Sequence, residues 1–309
     1  MDNIKVAVIT SGASAFGLIS YLAQIEKLSG VLIFGPWDQE KAHIAQQLSQ
    51  SGIAVQHCTT DDIDPPITAL TGWESQLAIV FCCREKIPLS VANTPKYGTI
   101  NFHGSLLPNY RGPDPIYWQI RNGETQSALT AHRLSEEFDT GAIVAQQPFL
   151  IGPCDTASRV FSNLTQKIPE LLTQIFDQIR QHGELPEQPQ QGEVQYLGTR
   201  VSEQDLKVLW HQTTARDLCN QIRAGNPQHG GVRLTMGQEQ VQLLQATPSN
   251  LPTYDAPAGS IIHISPEQGL IVALKEKSVR LDIIANNDGV VDGYRFAKLC
   301  HLSAGMRFI

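Results

Sequence analysis

The stretch Gly98-Thr99-Ile100-Asn101-Phe102-His103 is typical of a short buried strand. It is followed closely by a loop rich in Pro and Gly, Leu106 to Pro115. Ligands of open α/β sheets bind beyond the carboxyl ends of the strands. The sequence therefore predicts that chemistry takes place at this loop.

Four apolar runs precede this stretch, and helix-length amphipathic segments separate them. The alternation predicts parallel strands joined by crossover helices, that is, a Rossmann-like α/β domain. The predicted strands are 4–9, 31–35, 53–58 and 77–83, and helices are predicted near 15–28 and 38–51.

Two further strand-like runs, 128–134 and 142–151, flank the polar loop Glu136 to Gly141. A helix is predicted from Asp155, a suitable N-cap, to about Gln181, with a kink at Pro169. The segment 182–193 is rich in Gln, Pro and Gly and has almost no apolar residues, which is typical of a linker.

The chain beyond this segment has a different pattern, with one helix near 214–223 followed by several short strands. Five strands of this kind suggest a small β-barrel. They are predicted at 231–236, 241–246, 259–265, 270–274 and 279–284. The predicted division is a first domain at 1–182, a linker at 183–203 and a second domain at 204–309.

The composition is that of a globular protein. Of the 309 residues, 41% are hydrophobic and 17% are charged, which excludes a disordered, collagen-like or coiled-coil chain. Residues 1–204 carry 13 basic and 21 acidic residues, and residues 205–309 carry 10 and 9. Neither part has the dense positive patch expected when affinity depends on many phosphates, so a nucleic-acid partner is unsupported.

The sequence predicts a cytoplasmic protein without a metal site. Its first residues do not resemble a signal peptide, and no apolar run has the length of a membrane span. The six Cys form no CxxC motif and the nine His form no HxxxH motif. This argues against both a disulfide framework and a zinc site.

A second loop, Ser11 to Gly17, lies between a predicted strand and a predicted helix, where nucleotide-binding glycine loops occur. It matches neither GxGxxG nor GxxxxGK(S/T), because one required glycine or lysine is missing in each case. A tight strand-to-helix turn is therefore favoured over a phosphate cradle.

Three polar residues are candidates for catalysis. Asn101 and His103 are two residues apart, so on a strand both side chains point to one face. Asp139 comes from another loop. Each has an ordinary structural alternative, a hydrogen-bonded buried histidine for His103 and an Asx-type turn for Asp139. Together they suit acyl transfer to an amine, because an amide and a protonated imidazole can stabilise an oxyanion while a carboxylate helps to remove a proton.

These residues belong to a longer pattern that resembles the formyltransferases that use 10-formyltetrahydrofolate. The pattern consists of Asn101-Phe-His103, Ser105-Leu-Leu-Pro108, Tyr110-Arg-Gly112, Pro115 and Asp139-Thr-Gly141. The second domain resembles the C-terminal OB-like barrel of methionyl-tRNA formyltransferase. Its matching residues are Asp205-Leu206, Trp210, Ile222-Arg-Ala224, Pro227 and Pro257-Ala-Gly-Ser260.

The resemblance implies a role for each matching residue. The catalytic set would be Asn101, His103 and Asp139, and 10-formyltetrahydrofolate would be the formyl donor. The implied folate-binding residues are Arg84, Lys86, Ile87, Leu106, Glu137 and Phe138. The implied acceptor-binding residues are Ser105, Tyr110, Arg111 and Trp118. The alternatives are a solvated surface for Arg84 and Lys86, a helix core position for Trp118 and a loop-pinning role for Arg111.

Two features bear on the amine that accepts the formyl group. Formyltransferases that act on methionyl-tRNA carry a basic insertion after the second strand, but the segment 34–41 of this chain has two acids and one Lys. Other segments resemble more closely the formyltransferase half of the polymyxin-resistance enzyme, which formylates an amino sugar on uridine diphosphate. These segments are 103–112, Trp118, 122–125, 130–133 and 141–146.

The resemblance therefore favours a small, nucleotide-linked amino sugar as the acceptor. Four alternatives stay open. Methionyl-tRNA or a carrier-bound amino acid could be the acceptor, the protein could hydrolyse 10-formyltetrahydrofolate, or it could bind folate without turnover.

Overall fold

The computed structural model describes residues 4–237, 239–287 and 289–309, and these form two compact units. The first unit comprises the chain up to Pro115 together with Gln126–Phe149 and Ser162–Gly198, and the second comprises Ile116–Thr125, Leu150–Phe161 and Thr199–Ile309. Short segments of the chain thus alternate between the units. The domain bounds given by the sequence stay a prediction.

A seven-stranded sheet forms the centre of the first unit. Its strands are β1 (Val6–Thr10), β2 (Leu28–Phe34), β3 (Val55–Cys58), β4 (Leu77–Val80), β5 (Thr99–His103), β6 (Gln126–Arg133) and β7 (Ile143–Leu150). Their order in the sheet is β3-β2-β1-β4-β5-β6-β7. Strands β1 to β5 run parallel, whereas β6 is antiparallel to β5. The predicted Rossmann-like sheet is confirmed.

The central strands of this sheet are buried on both faces. All five residues of β1 and all four of β4 are buried. Ile9, Phe34 and Val80 pack in one apolar cluster with Leu70 from a helix. Burial on both faces explains why these strands are continuous apolar runs rather than alternating ones. Each such side chain contributes about 1.5–3 kcal/mol, so the ends of the strands are held firmly in place.

Seven α-helices occur among the described residues up to His182. They are α1 (Phe16–Gln24), α2 (Gln39–Gln50), α3 (Asp64–Gly72), α4 (Leu89–Ala92), α5 (Pro115–Arg121), α6 (Ala157–Thr165) and α7 (Ile168–His182). Among the residues that the structure describes, no helix is long and apolar enough to span a membrane.

The single kinked helix predicted over 155–181 is wrong, because α6 ends at Thr165 and α7 begins at Ile168. Pro169 lies in the first turn of α7. A proline has no N–H, and its ring clashes with the carbonyl four residues earlier, here that of Thr165. The first turn of a new helix tolerates proline, since its N–H groups have no partner within the helix.

The part of the second unit that begins at Thr199 contains, among its described residues, an antiparallel sheet and two helices. The elements of this part are α8 (Ala215–Gly225), β8 (Val232–Met236), β9 (Glu239–Ser249), β10 (Ile261–Ser265), β11 (Gly269–Ala273), β12 (Ser278–Asn286), β13 (Gly289–Asp292) and α9 (Gly293–Leu299). The strand order is β10-β11-β12-β9-β8, with β13 paired to β12. Thr214 and Asp217 form a capping box at the start of α8, as their spacing allows. The predicted small C-terminal β domain is confirmed, with β13 as a strand that the pattern did not indicate.

Part of the predicted linker packs against the first unit. Residues 184–198, which we call the return segment, follow α7 and belong to the first unit. Gln188 forms a backbone bridge to Ile143, and Leu197 forms one to Arg111. The return segment therefore contacts the two parts of the chain that flank the candidate site.

Candidate active site

The carboxyl end of β5 brings together side chains from three separate parts of the chain. Asn101 on β5 lies opposite His132 on β6 in the antiparallel register. Asn101 Nδ2 is 3.0 Å from His132 Nε2 and donates to Asp139 Oδ1 at 3.2 Å. His103 Nδ1 lies 3.6 Å from Asp139 Oδ2. The structure thus places the three residues of the predicted catalytic set together and adds His132 to them.

Asp139 lies on a tight loop that turns its carboxylate inward. The hydroxyl oxygens of Ser135 and Thr140 are 2.8 Å apart, and both lie within 3.0 Å of the Glu137 carbonyl oxygen. Asp139 has φ of 57°, in the left-handed region that few residues other than glycine adopt. Non-glycine residues persist in that region where the surrounding structure holds them, and they are frequent at functional sites.

The loop after β5 supplies two backbone groups to the site. The Tyr110 carbonyl oxygen is 2.9 Å from His103 Nε2, and the Gly112 N–H donates to Asp139 Oδ2 at 2.9 Å. Gly112 has φ of 122°, and a Cβ there would lie 2.6 Å from the Gly198 carbonyl oxygen. Position 112 therefore requires glycine, both for its backbone angle and for its contact with the return segment.

Backbone carbonyls determine which nitrogen of each ring carries the proton. A carbonyl oxygen only accepts hydrogen bonds, so His103 Nε2, at 2.9 Å from Tyr110 O, is the protonated nitrogen of the neutral ring. In the same way His132 Nδ1 donates to Arg133 O at 2.8 Å. This leaves His103 Nδ1 as the basic nitrogen that faces Asp139, and His132 Nε2 as an acceptor for the amide of Asn101.

Burial lowers the pKa of His103, against the opposing influence of the Asp139 carboxylate. For Asp139, burial raises the pKa, but the His132 and His103 rings and the Gly112 N–H together lower it to about 2. At neutral pH the site therefore pairs a carboxylate with a neutral imidazole. The sequence interpretation had a protonated imidazole, and the physical reason for the difference is that the ring is buried.

Asn101 uses both of its N–H groups within the site. One is directed to Asp139 and the other to His132. The amide can therefore stabilise an oxyanion only if it exchanges one of these partners for the new oxygen. A carboxylate is the stronger acceptor, so the bond to His132 is the one that can be given up at lower cost.

The predicted folate-binding residues lie on surface loops of the first unit, with one exception. Arg84, Lys86 and Glu137 are exposed, and Phe138 is 59% exposed. Leu106 is partly buried. Ile87 is 5% exposed and packs in the apolar cluster of the sheet, and its contact with a ligand stays a prediction.

The predicted acceptor-binding residues on the loop after β5 have partners inside the first unit. The Ser105 hydroxyl is fully buried and donates to Asn109 O at 2.7 Å. The Tyr110 ring is 4% exposed and stacks on Tyr196 with centroids 5.5 Å apart. These side chains hold the loop in shape, and their direct contact with an acceptor stays a prediction.

Arg111 and Trp118 also have internal hydrogen-bond partners. Arg111 donates from Nε and Nη2 to Gln190 Oε1 at 3.1 and 2.6 Å, so the loop-pinning alternative describes its contacts. Trp118 lies in the second unit, where its Nε1 donates to Thr199 O at 2.7 Å. Neither contact tests whether these residues bind the acceptor.

The glycine loop after β1 contacts protein groups at its start. The Ala13 N–H donates to the carboxylate of Glu40 at 3.3 Å, and the Ser11 hydroxyl is 3.2 Å from Cys83 Sγ. A carboxylate at this position repels an anion, so the contacts favour a strand-to-helix turn over a phosphate cradle.

Within the described residues, no group of three His, Cys, Asp or Glu side chains is placed to hold a metal ion.

Two site residues were not selected from the sequence. His132 could have been found from the β5 and β6 pairing, because its register places it opposite Asn101. Gln190 lies in the segment predicted as a linker, and its amide contacts both Arg111 and the backbone at Asp139. No local pattern in the sequence indicates that contact.

Comparison with protein families assigns the chain to a class. The model of the family described as "Formyl transferase" matches residues 4–176, and that of "Formyl transferase, C-terminal domain" matches residues 200–298. The protein is an enzyme of the formyltransferase family. Among curated relatives, the methionyl-tRNA formyltransferase of Synechococcus sp. (strain JA-2-3B'a(2-13)) is 34% identical over 221 residues, which are 70% of this chain and 67% of that protein.

Solved structures share the fold at low sequence identity. HypX from Aquifex aeolicus in complex with tetrahydrofolic acid has a TM-score of 0.60 and 16% identity, with 96% of this chain matched to 47% of that chain. The chain therefore spans about half the length of HypX. WlaRD, described as a sugar 3N-formyl transferase in the presence of dTDP and 5-N-formyl-THF, has a TM-score of 0.62 and 16% identity, covering 90% of this chain and 97% of that chain.

Proposed function

We propose that the protein transfers a formyl group from 10-formyltetrahydrofolate to a primary amine on a small, nucleotide-linked amino sugar. The observation that supports the transfer is the clustering of Asn101, His103 and Asp139 at the carboxyl end of β5, where Asn101 donates to the Asp139 carboxylate and His103 Nδ1 lies 3.6 Å from it. In this reaction the acceptor nitrogen forms a bond to the formyl carbon, the bond from that carbon to the folate nitrogen breaks, and one proton passes from the acceptor to the folate nitrogen.

His103 is the group best placed to carry that proton. Its Nδ1 has a free lone pair in the neutral ring, because Nε2 donates to Tyr110 O. When Nδ1 takes the proton from the attacking amine, the imidazolium lies beside the Asp139 carboxylate at 3.6 Å, which stabilises it. His103 can then return the proton to the leaving nitrogen. Asp139 orients and stabilises the ring and stays ionised.

Asn101 is proposed to stabilise the oxygen of the formyl group as negative charge develops on it. The amide would keep its bond to Asp139 and exchange the one to His132 for this oxygen. A donor that is already oriented costs little reorganisation at the moment of reaction, which is the source of oxyanion stabilisation in acyl transfer.

The surface loops of the first unit fit a formyl donor with a flat, neutral ring. Phe138 directly precedes Asp139 in sequence and offers a largely exposed aromatic side chain next to the buried carboxylate. The backbone of residues 84–86 lies on the neighbouring loop, after β4, and the carboxyl end of β4 lies beside that of β5. A pterin ring presents several donors and acceptors, which backbone groups in such loops can recognise without a charged pocket.

The loop after β2 supports a small acceptor rather than a tRNA. Lys41 is the basic residue of segment 34–41, but it is 7% exposed and pairs with Asp38 at 2.5 Å. Trp37, in contrast, is 54% exposed and lies edge-on to His57. This loop therefore displays an aromatic ring and a carboxylate to solvent, whereas binding of an acceptor stem depends on cations that contact phosphates.

Methionyl-tRNA is the second candidate acceptor, and the 34% identity to a methionyl-tRNA formyltransferase favours it. The two candidates differ in salt dependence. Binding of a tRNA through phosphates weakens steeply as salt increases, whereas recognition of one diphosphate depends on far fewer charges.

A panel assay tests the proposal directly. The purified protein is incubated with 10-formyltetrahydrofolate and, in separate reactions, with nucleotide-linked amino sugars, methionyl-tRNA and aminoacylated carriers. Mass spectrometry then measures the addition of one formyl group. Formylation of a sugar supports the proposal, a preference for methionyl-tRNA overturns the sugar assignment, and release of tetrahydrofolate without any formylated acceptor identifies a hydrolase.

A further inference from the structure

The side chain of Gln190 joins the two loops that form the candidate active site. Its Oε1 accepts from Arg111 Nε and Nη2 at 3.1 and 2.6 Å. Its Nε2 donates to the carbonyl oxygens of Asp139 and Gly141 at 2.7 and 2.8 Å. One amide thus uses its acceptor on the loop after β5 and both of its donors on the loop that carries Asp139.

The Gln190 bridge joins the same two loops as the hydrogen bond from the Gly112 N–H to the Asp139 carboxylate. Arg111 lies between Tyr110, whose carbonyl fixes the His103 ring, and Gly112, whose N–H donates to the Asp139 carboxylate at 2.9 Å. If the two loops separate, the Gly112 bond to the carboxylate lengthens. Because the Gln190 bridge ties Arg111 to the backbone of Asp139, it also limits the distance from Gly112 to the Asp139 carboxylate.

The rest of the return segment is held to the loop after β5 by its backbone. Tyr110 N donates to Tyr196 O at 2.8 Å, and Gly198 N donates to Arg111 O at 2.7 Å. Gln195 N donates to Asn109 Oδ1 at 2.8 Å. These bonds hold the return segment against one loop, and Gln190 extends the attachment to the other.

We propose that Gln190 is a positioning residue of the active site, which acts through Asp139 by tying its loop to Arg111. Its effect on the rate rests on the proposed function, but its effect on the Asp139 carboxylate does not. The segment that links the two predicted domains thus takes part in the catalytic site of the first.

The charged and titratable groups that face Asp139 make its carboxylate a reporter of this arrangement. They are His132 from β6 and His103 from β5, next to the Asn101 amide and the Gly112 N–H. The Asn101 amide and the Gly112 N–H donate to the carboxylate and favour its ionised form, so an increase in either distance raises the pKa of Asp139.

Two substitutions at Gln190 distinguish its acceptor contact with Arg111 from its donor contacts with the carbonyls of Asp139 and Gly141. Gln190→Leu removes both the acceptor and the donors at similar size. Gln190→Glu keeps an acceptor for Arg111 but places an oxygen against the carbonyls of Asp139 and Gly141, which repels them. Gln191→Ala is the matched control, because Gln191 is the exposed neighbour on the same segment.

The test combines a rate with a titration. The pKa of Asp139 is measured by NMR of carboxyl-labelled protein, with Asp139→Asn used to assign the signal, and kcat and KM are measured with the best acceptor of the panel. We expect Gln190→Leu to raise the Asp139 pKa measurably and both Gln190 variants to lower kcat about 10- to 100-fold with a smaller change in KM. Gln191→Ala should match the wild type in every measurement.

The outcomes are distinguishable. An unchanged Asp139 pKa in folded Gln190→Leu, or a wild-type kcat in Gln190→Glu, overturns the positioning role. If Gln190→Leu does not fold, Gln190→Glu carries the rate test and its NMR spectrum shows whether the Asp139 signal has moved. If the wild type formylates no acceptor, the proposed function fails, while the titration of Gln190→Leu still decides the role of the bridge.

Discussion

Asn101 and His132 face each other across the antiparallel pair of β5 and β6, and their side chains meet at 3.0 Å. The ring of His132 is 2% exposed and also lies 3.3 Å from Asp139 Oδ1. His132 therefore contacts the amide and the carboxylate of the predicted catalytic set at once, although it was not selected from the sequence.

Substitution of His132 should impair the reaction less than loss of the catalytic set. We expect His132→Asn to lower kcat by about 10-fold, because the amide of Asn101 and the carboxylate lose a common partner but keep their direct bond. Steady-state kinetics with the best acceptor would measure this. A wild-type kcat would mean that His132 only fills space.

His103→Ala and Asp139→Ala should each lower kcat by about 100-fold or more, since the first removes the proton carrier and the second the charge that stabilises it. His43→Ala is a suitable control, because His43 is an exposed histidine on α2. Thermal unfolding should show that all three variants are folded. Normal formylation by a folded His103→Ala protein would remove the proposed mechanism.

The stability of the protein should depend on pH through Asp139. The folded-state pKa of about 2 lies below the value of about 3.9 for a free aspartate, so this group stabilises the fold above about pH 4, and the stabilisation is lost as the pH falls through 2. The difference corresponds to about 2–3 kcal/mol. Denaturant unfolding at several pH values should show that Asp139→Asn removes this component. An identical pH dependence in the variant and the wild type would contradict it.

The rate should increase with pH from the acidic to the neutral range. The acceptor amine must be unprotonated to attack, and the lowered pKa of His103 keeps its ring basic below the usual pKa of about 6.5. The acid limb of kcat/KM should therefore report mainly the amine of the acceptor. A pH profile that is flat over this range would argue against attack by a free amine.

Gly141 should be intolerant of any side chain. A Cβ at this position would lie 1.9 Å from the Arg133 carbonyl oxygen, which belongs to the β6 backbone. We expect Gly141→Ala to destabilise the protein by about 2–4 kcal/mol and to displace Asp139. Gly17→Ala is the matched control, because a Cβ there meets nothing within 4 Å and alanine favours the helix α1. A Gly141→Ala protein as stable as Gly17→Ala would show that the backbone relaxes freely.

Much of the first domain follows from the sequence because its strands are buried on both faces. Such strands must be continuous apolar runs, as in β1 and β4, and the segments between them have the length of crossover helices. The break between α6 and α7 could have been predicted from Pro169, because proline lacks the N–H that a continuous helix would need there. The strand β13 could not, since it is only four residues long and its burial pattern is exposed or intermediate throughout.

By itself, the sequence determined the alternation of the first parallel strands with helices, the rim of the sheet where Asn101 and His103 lie, and the family pattern that includes Asp139. The tertiary structure alone decided the partners of these residues. Gln190 reaches the Asp139 backbone across 51 positions of the chain, and Asn101 reaches His132 across 31. Contacts of that range depend on how distant segments pack, and the tautomer of each histidine then follows from the carbonyl that packing places beside it.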